Sequence, residues 1–100
     1  MMVYSVTFAI EEAIETEWLK EINQYFIPTL MKSGFFSDFQ HTKIIPEQGL
    51  DLAYTLQFKC KNQPTLDRYI TQIKQTHEHV LREKFPGKFA SFYTKLELLT

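Results

Sequence analysis

An α+β fold is predicted, a four-stranded antiparallel sheet with helices on one face only. Three features predict it. In Leu52–Cys60 the residues Leu52, Tyr54, Leu56, Phe58 and Cys60 alternate with Ala53, Thr55, Gln57 and Lys59, the period-two pattern of a strand with one dry face. Two other stretches carry apolar residues at spacings of three and four, as amphipathic helices do. The segments then follow one another in the order βα(α)ββαβ.

The opening strand runs from Val3 to Ile10, with Tyr4, Val6, Phe8 and Ile10 on one side and Val3, Ser5, Thr7 and Ala9 on the other. The period then changes. Ile14, Trp18, Ile22 and Phe26 recur by fours, and Glu11, Glu12, Glu15 and Glu17 crowd the helix start, where carboxylates suit the helix dipole. That dipole match explains the acidic cluster better than a metal site. Ile27 precedes Pro28 and is expected to leave helical geometry. Pro28 to Ser33 forms a short second helical piece closed by Gly34 in the left-handed conformation.

A second strand is expected over residues 35–45, with a poorer alternation in which Phe35, Phe39 and His41 share one parity. Pro46-Glu47-Gln48-Gly49 has turn composition and joins it as a hairpin to the Leu52–Cys60 strand. Loop length leaves the register open, and a one-residue slip reverses the face to which His41 points. A long helix follows from Pro64 or Thr65 to Phe85, with the stripe Leu66, Ile70, Ile73, His77, Val80 or Leu81, and Phe85, stopped by Pro86-Gly87. The last strand, Lys88 to Leu98, sets Ala90, Phe92, Leu96 and Leu98 toward the helices and Phe89, Ser91, Tyr93, Lys95 and Glu97 away.

Two βαβ-like halves with right-handed crossovers make this order a ferredoxin-like βαββαβ domain spanning 1–100. One sheet face is left without helices. Ser5, Thr7, Ala9, Thr55, Gln57, Lys59, Ser91, Tyr93 and Lys95 are expected there, with Val3 and Phe89 near the ends. Small polar residues with a few aromatics suit a wet cavity closed by a second sheet, and symmetric self-pairing is the commonest cover for such a face.

Composition narrows the classes. Of 100 residues, 44% are hydrophobic and 23% charged, the balance of an ordinary soluble globular protein. The net charge is −1 with interspersed signs, which gives no electrostatic footprint for nucleic acid and no polybasic membrane anchor. Met1 to Ile10 lacks a signal-peptide pattern, no stretch has the length of a membrane span, and the expected location is cytoplasmic. A lone cysteine, Cys60, excludes an internal disulfide framework.

The chemistry-bearing residues form no specific motif. His77 and His79 are two apart on a helix and do not face one another; His77 reads as a packed histidine bonded to a nearby carbonyl, His79 as surface. His41 is the strand histidine and the candidate general base. Cys60 continues the dry parity of its strand and reads as an inert buried thiol. Thr7, Thr55, Gln57, Tyr93 and Lys95 are the candidate ligand contacts: Gln57 donates and accepts, Tyr93 adds a flat ring with a hydroxyl, and Lys95 suits an anionic group. No phosphate loop, metal-ligand cluster, RNA-binding signature or nucleophile elbow is present, so no cofactor is expected.

Tyr4-Ser5-Val6-Thr7, Ile14, Trp18, Ile27-Pro28, Met31 and Gly34-Phe35-Phe36, with Tyr54–Phe58 and Phe89–Thr94, resemble a family of short bacterial proteins of unknown function. The resemblance implies a ferredoxin-like domain related to the dimeric α/β-barrel superfamily, in which two sheets face each other across a cavity. That superfamily includes cofactor-free monooxygenases, isomerases and stress-response proteins. Phe26 stands where a histidine often precedes Ile-Pro, and Tyr93 where an arginine often sits, so chemistry carried by those residues in relatives is not implied here. The expected function is a homodimer with a small-molecule cavity at the open sheet face. An interaction module without ligand and a cofactor-independent enzyme using His41 or Tyr93 are the alternatives.

Overall fold

The computed structural model describes residues 1–45 and 52–100. The expected turn at Pro46–Gly49 lies outside the described residues. The strands are β1 (Met2–Ile10), β2 (Asp38–Lys43), β3 (Ala53–Cys60) and β4 (Phe89–Glu97). They form one four-stranded sheet in the order β2-β3-β1-β4, antiparallel at every junction. Helices α1 (Glu15–Glu21), α2 (Ile27–Lys32), α3 (Gln63–Gln72) and α4 (Lys74–Lys84) complete it. The ferredoxin-like α+β fold is therefore as expected.

The core lies between the sheet and the helices and is largely aromatic. Trp18 of α1 is fully buried, with its ring 5.0 Å from Phe8, 5.4 Å from Phe85 and 4.9 Å from Phe89. Tyr4, Phe36, Phe58 and Tyr69 make a second cluster, the closest pair being Phe36 and Tyr69 at 4.8 Å. Tyr54, Leu56, Phe58 and Cys60 face this core from β3, as the alternation predicted. Cys60 is a buried free thiol whose Sγ lies 3.6 Å from the Asn62 carbonyl.

Four expectations need correction. First, Ile27 stays helical at φ −59°, ψ −50°. A π-helical turn over Ile22–Phe26 leads into α2, and the Ile27 N–H reaches back to the Ile22 carbonyl. The wider turn shifts the hydrogen-bond register just where Pro28 has no N–H to give. Second, β2 is shorter than residues 35–45. Gly34, at φ +86°, turns the chain so that Phe35 and Phe36 fold onto Tyr69 at 5.5 and 4.8 Å from outside the strand.

Third, the long helix is two helices, broken at Ile73, φ −118°. The Thr71 hydroxyl donates to the carbonyls of Asp67 at 2.9 Å and Arg68 at 3.4 Å, back-bonding of the kind that bends helices. Beyond the break Leu81 is buried and Val80 exposed. Fourth, β4 has the opposite facing. Its register on β1 pairs Phe89 with Ile10, Ser91 with Phe8, Tyr93 with Val6 and Lys95 with Tyr4. Directly opposed residues share a face, so those four look toward the helices. Ala90, Phe92, Thr94 and Leu96 look away.

Candidate functional site

Three registers define the helix-free face. From β1 it takes Val3, Ser5, Thr7 and Ala9; from β3 Ala53, Thr55, Gln57 and Lys59; from β2 Asp38, Gln40 and Thr42; from β4 Ala90, Phe92, Thr94 and Leu96. Its middle is polar and internally tied. The Thr7 and Thr55 hydroxyls are hydrogen-bonded at 3.0 Å, and the Thr42 hydroxyl donates to the Thr55 carbonyl at 3.3 Å. Gln40 and Gln57 stand directly opposite each other, as do Asp38 and Lys59, whose charged atoms approach to 3.8 Å. Val3, Asp38, Phe39, Gln40, Gln57 and Lys59 line a depression of about 150 Å³.

The β4 side of the face is mostly apolar, with Thr94 set between Phe92 and Leu96. Phe92 is 64% exposed, and Leu96 and Leu98 are also exposed. Exposed large apolar side chains gathered on one face are a feature of interaction surfaces. Phe92 and Leu96 are expected in the core, and their place on the uncovered side comes from the reversed facing of β4.

Of the expected ligand contacts, Thr7, Thr55 and Gln57 share the open face, while Tyr93 and Lys95 do not. Lys95 pairs with Asp67 of α3 at 3.0 Å. The Tyr93 ring lies 5.9 Å from Tyr4 and under the Lys74 ammonium at 4.7 Å. Lys74 forms an ion pair with Glu78, a carboxylate only 2% exposed, and the Ser91 hydroxyl donates to Glu78 Oε1 at 3.3 Å. Burial, reinforced by Glu78, raises the pKa of the Tyr4 and Tyr69 phenols well above the ordinary range. This polar cluster ties α4 to the edge of the sheet.

The histidines fall on the helix side as well. His41 is opposite Leu56 in the β2–β3 register, with its ring 5.7 Å from Tyr54, and burial lowers its pKa. His41 and Tyr93 occupy the two edge strands, so they make no joint acid–base pair. His77 is packed as expected, but its Nδ1 is hydrogen-bonded to the Tyr69 hydroxyl at 2.9 Å rather than to a carbonyl. Glu15 accepts from the Tyr54 hydroxyl at 2.5 Å and pairs with Lys43 at 3.4 Å, while Glu11 pairs with Lys88 at 3.4 Å. These acidic groups border an open depression of about 810 Å³ at one end of the sheet. Among the described residues, no three His, Cys, Asp or Glu side chains converge as a metal site.

Gln40, Thr42, Thr94, Phe92 and Leu96 also stand on the open face, where the sequence alone does not place them. The signal for Gln40 and Thr42 was their shared parity in a short polar strand. For Phe92 and Leu96 the local pattern pointed the other way.

The fold and its uncovered face define a ferredoxin-like protein, and solved structures agree. An EthD-family protein from Bacillus halodurans matches at TM-score 0.73 and 14% identity, over 99% of this chain and 100% of that one. A dimeric ferredoxin-like protein from an uncultured marine organism matches at TM-score 0.71 and 10% identity, over 99% and 95%. SnoaB, a cofactor-independent oxygenase from Streptomyces nogalater, matches at TM-score 0.67 and 12% identity, over 99% and 93%. At these identities the likeness is one of fold. The chain belongs to the family described as Domain of unknown function (DUF4286), whose model matches residues 1–99. A comparison with curated proteins finds no match. No helix among the described residues is long and apolar enough to cross a membrane.

Proposed function

We propose that the protein works as a homodimer in which two open sheet faces close on each other around a small-molecule cavity. The observation that carries this is the division of the open face into an exposed apolar side, with Phe92 and Leu96, and a polar field containing Thr7, Thr55 and Gln57. Apolar rows drive association, and the polar field between them lines the cavity. A dimeric ferredoxin-like protein of the same fold supports the choice of a second copy as the cover. Thr7, Thr55 and Gln57 are the ligand contacts in this reading, with Gln40 added and with Tyr93 and Lys95 left out. The buried free thiol of Cys60 is compatible with a reducing, cytoplasmic setting.

Sedimentation velocity on the full chain tests the assembly. The wild type is expected to run as a dimer and Phe92→Glu as a folded monomer. A wild type that stays monomeric at micromolar concentration overturns the proposal. A metabolite panel read by thermal shift tests the cavity. A stabilising ligand is expected to lose its effect in Gln57→Leu while the dimer persists. A dimer that no panel member stabilises favours the interaction module without ligand.

A further inference from the structure

We infer that the ligand at the open face is uncharged and presents a carboxamide-type edge, with hydrogen-bond donor and acceptor side by side. The inference rests on the homodimer reading above and names the chemical class of its ligand. Gln40 and Gln57 are directly opposite in the β2–β3 register and both line the 150 Å³ depression. Side chains so placed have Cβ atoms about 5 Å apart. Two primary amides therefore stand next to each other, each with a carbonyl oxygen and an NH₂ group. The neighbouring hydroxyls are engaged in part, Thr7 with Thr55 and Thr42 with the Thr55 carbonyl. Among the described residues, the two amides are the groups on the β2–β3 side of this face that carry a carbonyl acceptor and an NH₂ donor together.

Charge bounds the class from one side. Among the described residues, the ionisable groups on this face are Asp38 and Lys59, and they pair with each other. A second copy adds the same balanced pair. An anion or cation enclosed between two such faces would keep an uncompensated charge away from water, a costly arrangement. Hydrogen bonding bounds it from the other side. A wholly apolar ligand would cover the two amides and leave them unpaired, which is also costly. A neutral group that gives and takes hydrogen bonds escapes both penalties, and Val3, which lines the same depression, supplies contact for an apolar body.

The test uses one ring with different head groups. The ¹⁵N-labelled full chain is titrated with benzamide, benzoate, benzamidine and acetophenone. The side-chain NH₂ signals of Gln40 and Gln57 are followed by NMR, and the same sample is sized by sedimentation. Benzamide is expected to shift both amide signals and to bind at least about tenfold more tightly than either ion. Gln57→Leu is expected to abolish the shift, and Gln57→Glu to transfer preference to benzamidine, with circular dichroism reporting that each variant is folded. If a variant does not fold, the comparison among the four probes on the wild type decides by itself. A dimer whose amides respond equally to benzoate or benzamidine, or to acetophenone as strongly as to benzamide, or to none of the four, overturns the ligand class and leaves the dimer standing. A monomer in the sedimentation arm overturns the homodimer reading beneath it.

Discussion

The Tyr54 hydroxyl joins the dry face of β3 to the start of α1 by donating to Glu15 at 2.5 Å. Burial and this hydrogen bond push the Tyr54 phenol up to about 12 from an ordinary 10.0. The same bond, ahead of the Lys43 charge, holds the Glu15 carboxyl below its usual range. A phenol whose folded value is raised contributes stability that is complete below the unfolded value and is lost as pH rises through the folded one. Denaturant midpoints are thus expected to fall between the ordinary value of 10.0 and about 12, and Tyr54→Phe should make that fall shallower. An unchanged alkaline slope in the variant would show that Tyr54 is not the titrating group. At the acid side burial lowers His41 from its ordinary 6.5, so its contribution is present above that value and lost as pH falls toward the folded one. His41→Phe is expected to reduce the acid slope, measured by the same denaturant series below neutral pH. Neither bond nor burial was visible from residue type, since Tyr54 and Glu15 are far apart in sequence and His41 had no fixed facing.

At the scale of elements, β4 is where local pattern and tertiary structure disagree. Its alternation marks two rows correctly, but the more apolar row faces the uncovered side. Phe89 takes the core position against Trp18 at 4.9 Å and Phe8 at 5.9 Å, and Lys95 reaches Asp67 of α3. The two phenylalanines of the strand should then behave differently. Phe89→Ala is expected to destabilise the protomer by about 3 kcal/mol, the low end for a phenylalanine that is partly buried, through lost packing and a cavity. Phe92→Ala should leave protomer stability within about 0.5 kcal/mol, as surface changes do, and weaken association instead. Chemical denaturation at dilute protein reads the first effect and sedimentation the second. Equal losses of protomer stability would mean the strand is flipped. The helices show a related limit. Apolar spacing located the stripe from Leu66 to Phe85, but the break at Ile73 accompanies a Thr71 hydroxyl turned onto the Asp67 and Arg68 carbonyls, and threonine in a helix does not always turn that way.

For the molecule as a whole, exposed apolar side chains beside a polar field are costly to leave in water, and a second copy would cover them. If the dimer is the folded species, mass action ties stability to concentration. Each tenfold rise in protein concentration should add about 1.4 kcal/mol of apparent stability per mole of dimer, seen as a rising Tm in differential scanning fluorimetry across a dilution series. Phe92→Glu should remove that dependence. A wild-type Tm independent of concentration would count against assembly.

The amino-acid sequence by itself determined the element types, their order and, through the right-handed crossover preference, the ferredoxin-like α+β fold. It also determined the facing of the two inner strands, because β1 and β3 carry strict alternations with one row fit only for burial. The tertiary structure alone decided the facing of the edge strands, and with it the composition of the candidate site. An edge strand is flanked on one side only, so its rows differ less in burial, and β4 is exposed along nearly all its length. Which row meets the helices then depends on partners distant in sequence, Trp18 for Phe89, Tyr4 for Tyr93 and Asp67 for Lys95. Period two defines a pair of faces, and only long-range register says which of them is up.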